Sequence, residues 1–201
     1  MKMFRTMMLA GVVAMMYACG SAEKKTEAEI TEPEEEVVNE VEDATDEEAL
    51  VEAEAQLSSA SGSEVSGVAT FTDLGDGTVT FKISIENATP GSHAIHLHQN
   101  GDCSATDATS AGGHWNPAEV DHGKRAVDMQ FHAGDIDNVE VGEDGKGVME
   151  MTIEGWSIGG ADSTDIINRA VIIHAGADDF ESQPSGAAGA RVACGVIQMK
   201  Q

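Results

Sequence analysis

The chain has 201 residues, a formal net charge of -25 and a sequence pI of about 4.3. That length accommodates one ordinary domain plus extra segments. The charge excludes nucleic acid as a partner, since a phosphate backbone would be repelled and no basic stripe with interleaved aromatics occurs.

Residues 1–19 open with Lys2 and Arg5, run through the apolar stretch Met7 to Ala18 and end at Cys19. A basic start, a short apolar core and a small residue before the end describe an export signal. The core falls well short of the roughly 20 residues a spanning helix needs. The Cys after Ala18 resembles a bacterial lipoprotein signal, in which it is lipidated and becomes the mature N-terminus. The alternative is plain secretion, with Cys19 in the discarded peptide.

Residues 20–62 hold fifteen acids against Lys24 and Lys25, lack aromatics and end in a Ser/Gly-rich stretch. Such a composition cannot bury enough apolar surface to offset chain entropy. A solvated acidic linker is expected there, with transient helix over the Glu/Ala-rich residues 46–56. The remaining domain, 63–201, has 21 acids and 7 bases, so it stays strongly negative on its own.

From residue 63 the pattern becomes alternating. Val65, Gly67, Ala69 and Phe71 form one period-two run and Val79, Phe81, Ile83 and Ile85 another, with Leu74-Gly75-Asp76-Gly77 as the turn between them. Further strands are expected at 93–98, 137–141, 147–153, 169–174 and 192–199, with a turn at Glu143-Asp144-Gly145-Lys146. Short strands, glycine turns and no long helical period predict an all-β fold, a Greek-key barrel or sandwich of about eight strands. Two stretches fit no strand, 99–132 and 175–189. Polar, glycine-rich loops of that length inside a domain are usually functional.

Six of the seven histidines sit in these loops or at strand ends. His96 and His98 are two apart on one strand and leave the same face. His114, His122, His132 and Asp135 lie in one region, and three imidazoles with a carboxylate suit a tetrahedral zinc site. His174 ends the β-branched run Ile172-Ile173. Seven donors exceed what one ion takes. Two neighbouring ions sharing an imidazolate would use them all, because each ring nitrogen can hold one metal.

The strings Gly91-Ser92-His93-Ala94-Ile95-His96-Leu97-His98, Gly112-Gly113-His114-Trp115-Asn116-Pro117, His132-Ala133-Gly134-Asp135, His174-Ala175-Gly176-Ala177-Asp178-Asp179 and Gly189-Ala190-Arg191-Val192-Ala193-Cys194-Gly195 resemble the copper/zinc superoxide dismutase family. The resemblance spans roughly 64–199, in the family's order. It implies copper held by His96, His98, His114 and His174, and zinc held by His114, His122, His132 and Asp135, with His114 between them. It implies that Asp178 bonds His96 and His122, that His93 braces strands, and that Cys103 and Cys194 form a disulfide. Arg191 and His114 are the implied catalytic residues, one orienting a small anion and the other handling a proton. The implied reaction turns superoxide into oxygen and hydrogen peroxide.

The resemblance also implies a homodimer as one possible assembly and, with the export signal, a location in the bacterial periplasm or cell envelope. A membrane would be met only through the lipid on Cys19. One rival is a non-catalytic copper- and zinc-binding envelope protein. Another is an interaction module that works through the acidic segment, which leaves the donor set unexplained. The 175–189 loop is shorter than in animal members and contains no lysine, so attraction of a negative substrate would fall to Arg191 and other bases such as Lys124 and Arg125.

Overall fold

A computed structural model describes residues 50–201; the export signal, Cys19 and the linker up to residue 49 lie outside the described residues. Nine strands follow one another: β1 (Val51–Ser59), β2 (Ser66–Asp73), β3 (Thr78–Glu86), β4 (Gly91–His98), β5 (Asp135–Val141), β6 (Gly147–Glu154), β7 (Ala170–His174), β8 (Arg191–Val196) and β9 (Gln198–Met199). A single 3-10 turn, Thr109–Ala111, interrupts the β4–β5 connection.

The period-two runs explain the strands. Ala69, Phe71, Val79, Phe81, Ile83 and Ile85 turn inward and are fully buried, and β2 pairs with β3 from Ser66↔Glu86 to Asp73↔Val79. Phe71 and Phe81 pack at 5.3 Å between centroids, each 6.1 Å from Trp156. Around the barrel the order is β1-β2-β3-β6-β5-β4-β7-β8, all antiparallel, and β8 returns to β1 at Ser58↔Cys194 and Ser59↔Ala193. The skip from β3 to β6 is the Greek-key crossover. β9 adds to β1 through Ala53↔Met199 and Glu54↔Gln198.

Two expectations are corrected. The segment read as linker to residue 62, with transient helix at 46–56, contains β1. Ala53, Ala55 and Leu57 alternate with polar residues and face the core, and β2 pairs with them from Val51↔Asp73 to Leu57↔Gly67. Alanine and glutamate favour helix in isolation, but a partner strand and a buried face override that preference. The run expected as one strand over 192–199 divides at Ile197, whose N–H donates to the Arg169 carbonyl at 2.9 Å.

β4 positions the candidate site. Ile95 and Leu97 enter the core, whereas His96 and His98, 0% and 1% exposed, lie on the opposite face and are buried as well. The outer face of a barrel strand ordinarily meets water. Here it is covered by the 99–134 and 175–190 connections. The first is tied down by the Cys103–Cys194 disulfide, Cα–Cα 5.8 Å, inside a small apolar cluster of Ala60, Ala108, Ala111, Ala170 and Ile172. The bridge closes a ring across a sequence separation of 91, for which chain entropy gives about 4–5 kcal/mol.

Candidate metal centre

Three stretches of backbone bring the donors together. β4 supplies His96 and His98. β7 ends in His174 at an irregularity between Ile173 and His174 that sets it opposite Arg191. His114 is laid against His98 by an isolated antiparallel bridge. Gly134 packs the returning chain against β4. Its amide donates to Trp115 O and its carbonyl accepts from Leu97 N–H, both at 2.8 Å. A Cβ at Gly134 would lie 2.2 Å from Leu97 O, so glycine is required where the chain passes.

His96, His98, His114 and His174 each present one ring nitrogen within 4.8 Å of the others, all buried. In each ring one nitrogen has a fixed acceptor. His96 Nε2 is 2.8 Å from Asp178 Oδ2, His98 Nδ1 is 2.8 Å from Gly112 O, His174 Nδ1 is 3.2 Å from Gly189 O, and His114 Nδ1 is 2.9 Å from Asp135 Oδ1. Carbonyls and carboxylates only accept, so for His96, His98 and His174 the proton sits on the bonded nitrogen. The opposite atoms, His96 Nδ1, His98 Nε2, His114 Nε2 and His174 Nε2, are buried without any hydrogen-bond partner. Buried polar atoms are rarely left so, and four converging lone pairs are what a cation needs.

The second set surrounds one carboxylate. The Nδ1 atoms of His114, His122 and His132 stand 2.9, 3.0 and 3.2 Å from the oxygens of Asp135. His132 Nδ1 is also 3.3 Å from His114 Nδ1. The donors on this side whose atoms all lie within 4.8 Å of one another are His96, His114, His122 and Asp135. The predicted ligand His132 falls outside that group, although its Nδ1 stands beside Asp135 and His114, and the Nε2 of His96 is engaged by Asp178. His114 therefore offers Nε2 to one set and Nδ1 to the other.

The electrostatics of the sets differ. Burial pushes His98 down to about 2, His174 to about 3 and His114 to about 4, the last despite its bond to Asp135. These rings are neutral at pH 7 and their lone pairs are free. Burial also opposes charge on His122, yet Asp135 and Asp178 together outweigh it and hold that ring up at about 9. Asp135 and Asp178 are buried, which opposes their charge, but their histidine partners keep both well below the ordinary carboxylate range. The second set calls for positive charge; the first calls for an electron-pair acceptor.

A cleft of about 390 Å³ opens onto the first set, lined by His98, His114, His174, Asn116, Ser185 and Arg191 among others. Arg191 Nη1 and Nη2 donate to Ala108 O and Gly112 O, both at 2.7 Å, which fixes the guanidinium in the cleft wall. It is the only positive side chain there. Lys124 and Arg125, expected as substitute bases, do not line the cleft. Arg125 donates through Nε to Asp135 O at 2.7 Å, to the carbonyls of His132 and Ala133, and lies over Phe131 and Trp156. Its Nε and Nη2 are engaged inside the loop. Lys124 sits over Phe180 and faces Asp137 at 3.7 Å.

Asp178 spans both sets, its Oδ2 at His96 and its Oδ1 at His122 Nε2, 2.9 Å away. A Cβ at Gly186 would fall on Asp178 Oδ1, so that glycine makes room for the carboxylate. His93 links His174 O and Thr89 O, each at 2.8 Å, and holds no position among the donors. Sequence reading missed two amides. Asn138 pairs both ways with the Asp178 backbone, at 2.8 and 3.0 Å, and Gln183 both ways with the His122 backbone, at 2.9 Å each. Asn138 lies three residues after Asp135, a weak local signal; nothing in the sequence points to Gln183.

The family model described as copper/zinc superoxide dismutase (SODC) matches residues 65–197. Among solved structures, the clock protein EA4 is 36% identical and superposes with a TM-score of 0.66, over 74% of this chain and 94% of that one.

Proposed function

Because the chain belongs to the copper/zinc superoxide dismutase family, we propose that it converts superoxide to oxygen and hydrogen peroxide. His96, His98, His114 and His174 would hold copper, and His114, His122, His132 and Asp135 would hold zinc. The observation that carries this reading is the group of five buried ring nitrogens without hydrogen-bond partners: four converge from His96, His98, His114 and His174, and the fifth, His122 Nδ1, faces Asp135. Four imidazoles suit copper, and three imidazoles with a carboxylate suit zinc. Bound copper would supply one-electron redox chemistry, and zinc, which has none, a fixed charge.

The chain's own residues do the rest. Arg191, held by two carbonyls, offers its remaining N–H groups to a small anion at the cleft mouth. His114 lines the cleft; its Nε2 can take up a proton and donate it to the departing peroxide, while Nδ1 keeps the ring oriented on the Asp135 side. Asp178 fixes the tautomers of His96 and His122, so their donor atoms need not reorganise. The shell of β4, β7 and the two connections limits water to the cleft.

Metal analysis with an activity assay tests the reading. Two ions per chain, turnover, and loss of turnover in His174→Ala are expected. One ion per chain, or two at unrelated places, would sink it. Two ions with no turnover would favour the rival, a metal-holding envelope protein without catalysis. The export reading belongs with this proposal: periplasm or cell envelope, anchored through lipid on Cys19. Loss of membrane association in Cys19→Ala is the expected result.

A further inference from the structure

Each donor of the second set is held by regular pairing or a neighbour, except one. Asp135 begins β5, His132 N–H bonds Asp135 Oδ2 at 2.8 Å, and His114 is bridged to His98. His122 lies in an irregular stretch, and its backbone takes part in none of the backbone–backbone bonds. Both its N–H and its C=O end on one side chain. His122 N–H donates to Gln183 Oε1 and Gln183 Nε2 donates to His122 O, each at 2.9 Å, across 61 residues.

We infer that Gln183 is a positioning residue for His122: its carboxamide holds that backbone so that the ring stands between Asp135 and Asp178, and so sets how long a zinc-class ion stays bound. The reasoning rests on the two-ion reading above. A carboxamide is required because it carries a donor and an acceptor on one planar group. Alanine offers neither, and glutamate keeps only the acceptor. The 175–190 connection does not depend on this contact for its own placement. Asn138 pairs with Asp178 at both ends, and Asp179 N–H bonds Gly186 O at 3.0 Å. Replacing Gln183 should therefore free His122 without unseating the loop.

The test uses the full chain stripped of metal, then loaded with Zn²⁺ alone or Co²⁺ alone. Release of Zn²⁺ into excess chelator is expected to be about tenfold faster in Gln183→Ala than in the parent, with Gln183→Glu in between, the size seen when groups that orient a ligand are lost. The Co²⁺ visible bands should change shape in Gln183→Ala while thermal unfolding of the metal-free protein stays put. Equal release rates overturn the inference. So does a fall in metal-free stability large enough to account for the faster release, which would make Gln183 merely structural. A parent chain that retains no Zn²⁺ removes the two-ion reading and this inference together, whereas tight Zn²⁺ in both parent and variant removes this inference alone.

Discussion

The two faces of β4 are equally dry for opposite reasons. Ile95 and Leu97 are buried because apolar side chains from the other strands surround them, a stabilisation proportional to area and present whatever else is bound. His96 and His98 are buried because two long connections fold over them, and that cover encloses unpartnered nitrogens and buried carboxylates. The barrel is complete in itself. The covered face gains most when a cation satisfies it, so substitutions on the two faces should affect different measurements.

The largest contrast is expected between His174→Ala and Ile83→Ala. Removing His174 should bring dismutase activity to background and lose one ion per chain, with little change in metal-free stability. Removing the buried Ile83 side chain should cost about 2–5 kcal/mol in urea unfolding of the metal-free form, with two ions still bound by the folded fraction. If His174→Ala unfolds the metal-free protein, the separation of the two faces is wrong. Asp178→Asn comes next. It keeps the size of the side chain but weakens its bonds to His96 and His122, and should cost roughly tenfold to a hundredfold in affinity for both ions. Competition against chelators measures this, and an effect on one ion alone would show that Asp178 does not couple the sets.

Metal-free stability against pH sharpens the comparison further. His98, His174 and His114 sit below their ordinary 6.5, at about 2, 3 and 4. The unfolded chain binds their protons first, so their contribution is complete above pH 6.5 and shrinks as pH falls below it. His122, held at about 9, has the opposite sign. Its contribution is complete below pH 6.5 and is lost as pH rises through 9. Urea unfolding in chelator should therefore give a maximum near pH 6.5, and with both ions bound the alkaline fall should vanish. Metal-free stability that keeps rising to pH 9 would contradict the assignment.

Legibility in the sequence followed the range of each signal. The strands with β-branched or aromatic inward positions, such as Val79 to Ile85, declared themselves locally. β1 did not, because its inward positions are two alanines and a leucine among glutamates, and only the neighbouring strand makes that alternation decisive. Donor residues were readable from their chemical type, and the family's strings supplied their grouping. Gln183 was invisible and Asn138 signalled only weakly, because their partners lie 61 and 40 residues away. Lys124 and Arg125 misled in the other direction: two and three residues after the donor His122, they are directed elsewhere by Phe180 and by the Asp135 carbonyl.

The smallest expected effect concerns how a negative substrate reaches the cleft. Superoxide dismutases are the standard illustration of field-guided association, yet residues 50–201 carry 23 acids against 7 bases, and Arg191 is the only positive side chain on the cleft wall. Arg125 is enclosed by its own loop, and Lys124 faces Asp137. The distant field is thus repulsive, while the contact field of Arg191 is attractive. Salt shortens the screening length to about 8 Å at 0.15 M, which suppresses the distant repulsion far more than a contact inside the cleft. The catalytic rate should therefore rise with ionic strength, by less than the roughly tenfold that marks strong steering. Arg191→Gln should lower the rate at every salt concentration and leave the rise intact. A rate that falls with added salt in the parent and becomes flat in Arg191→Gln would mean that one guanidinium dominates the approach, and that the charge of the barrel surface does not reach the cleft.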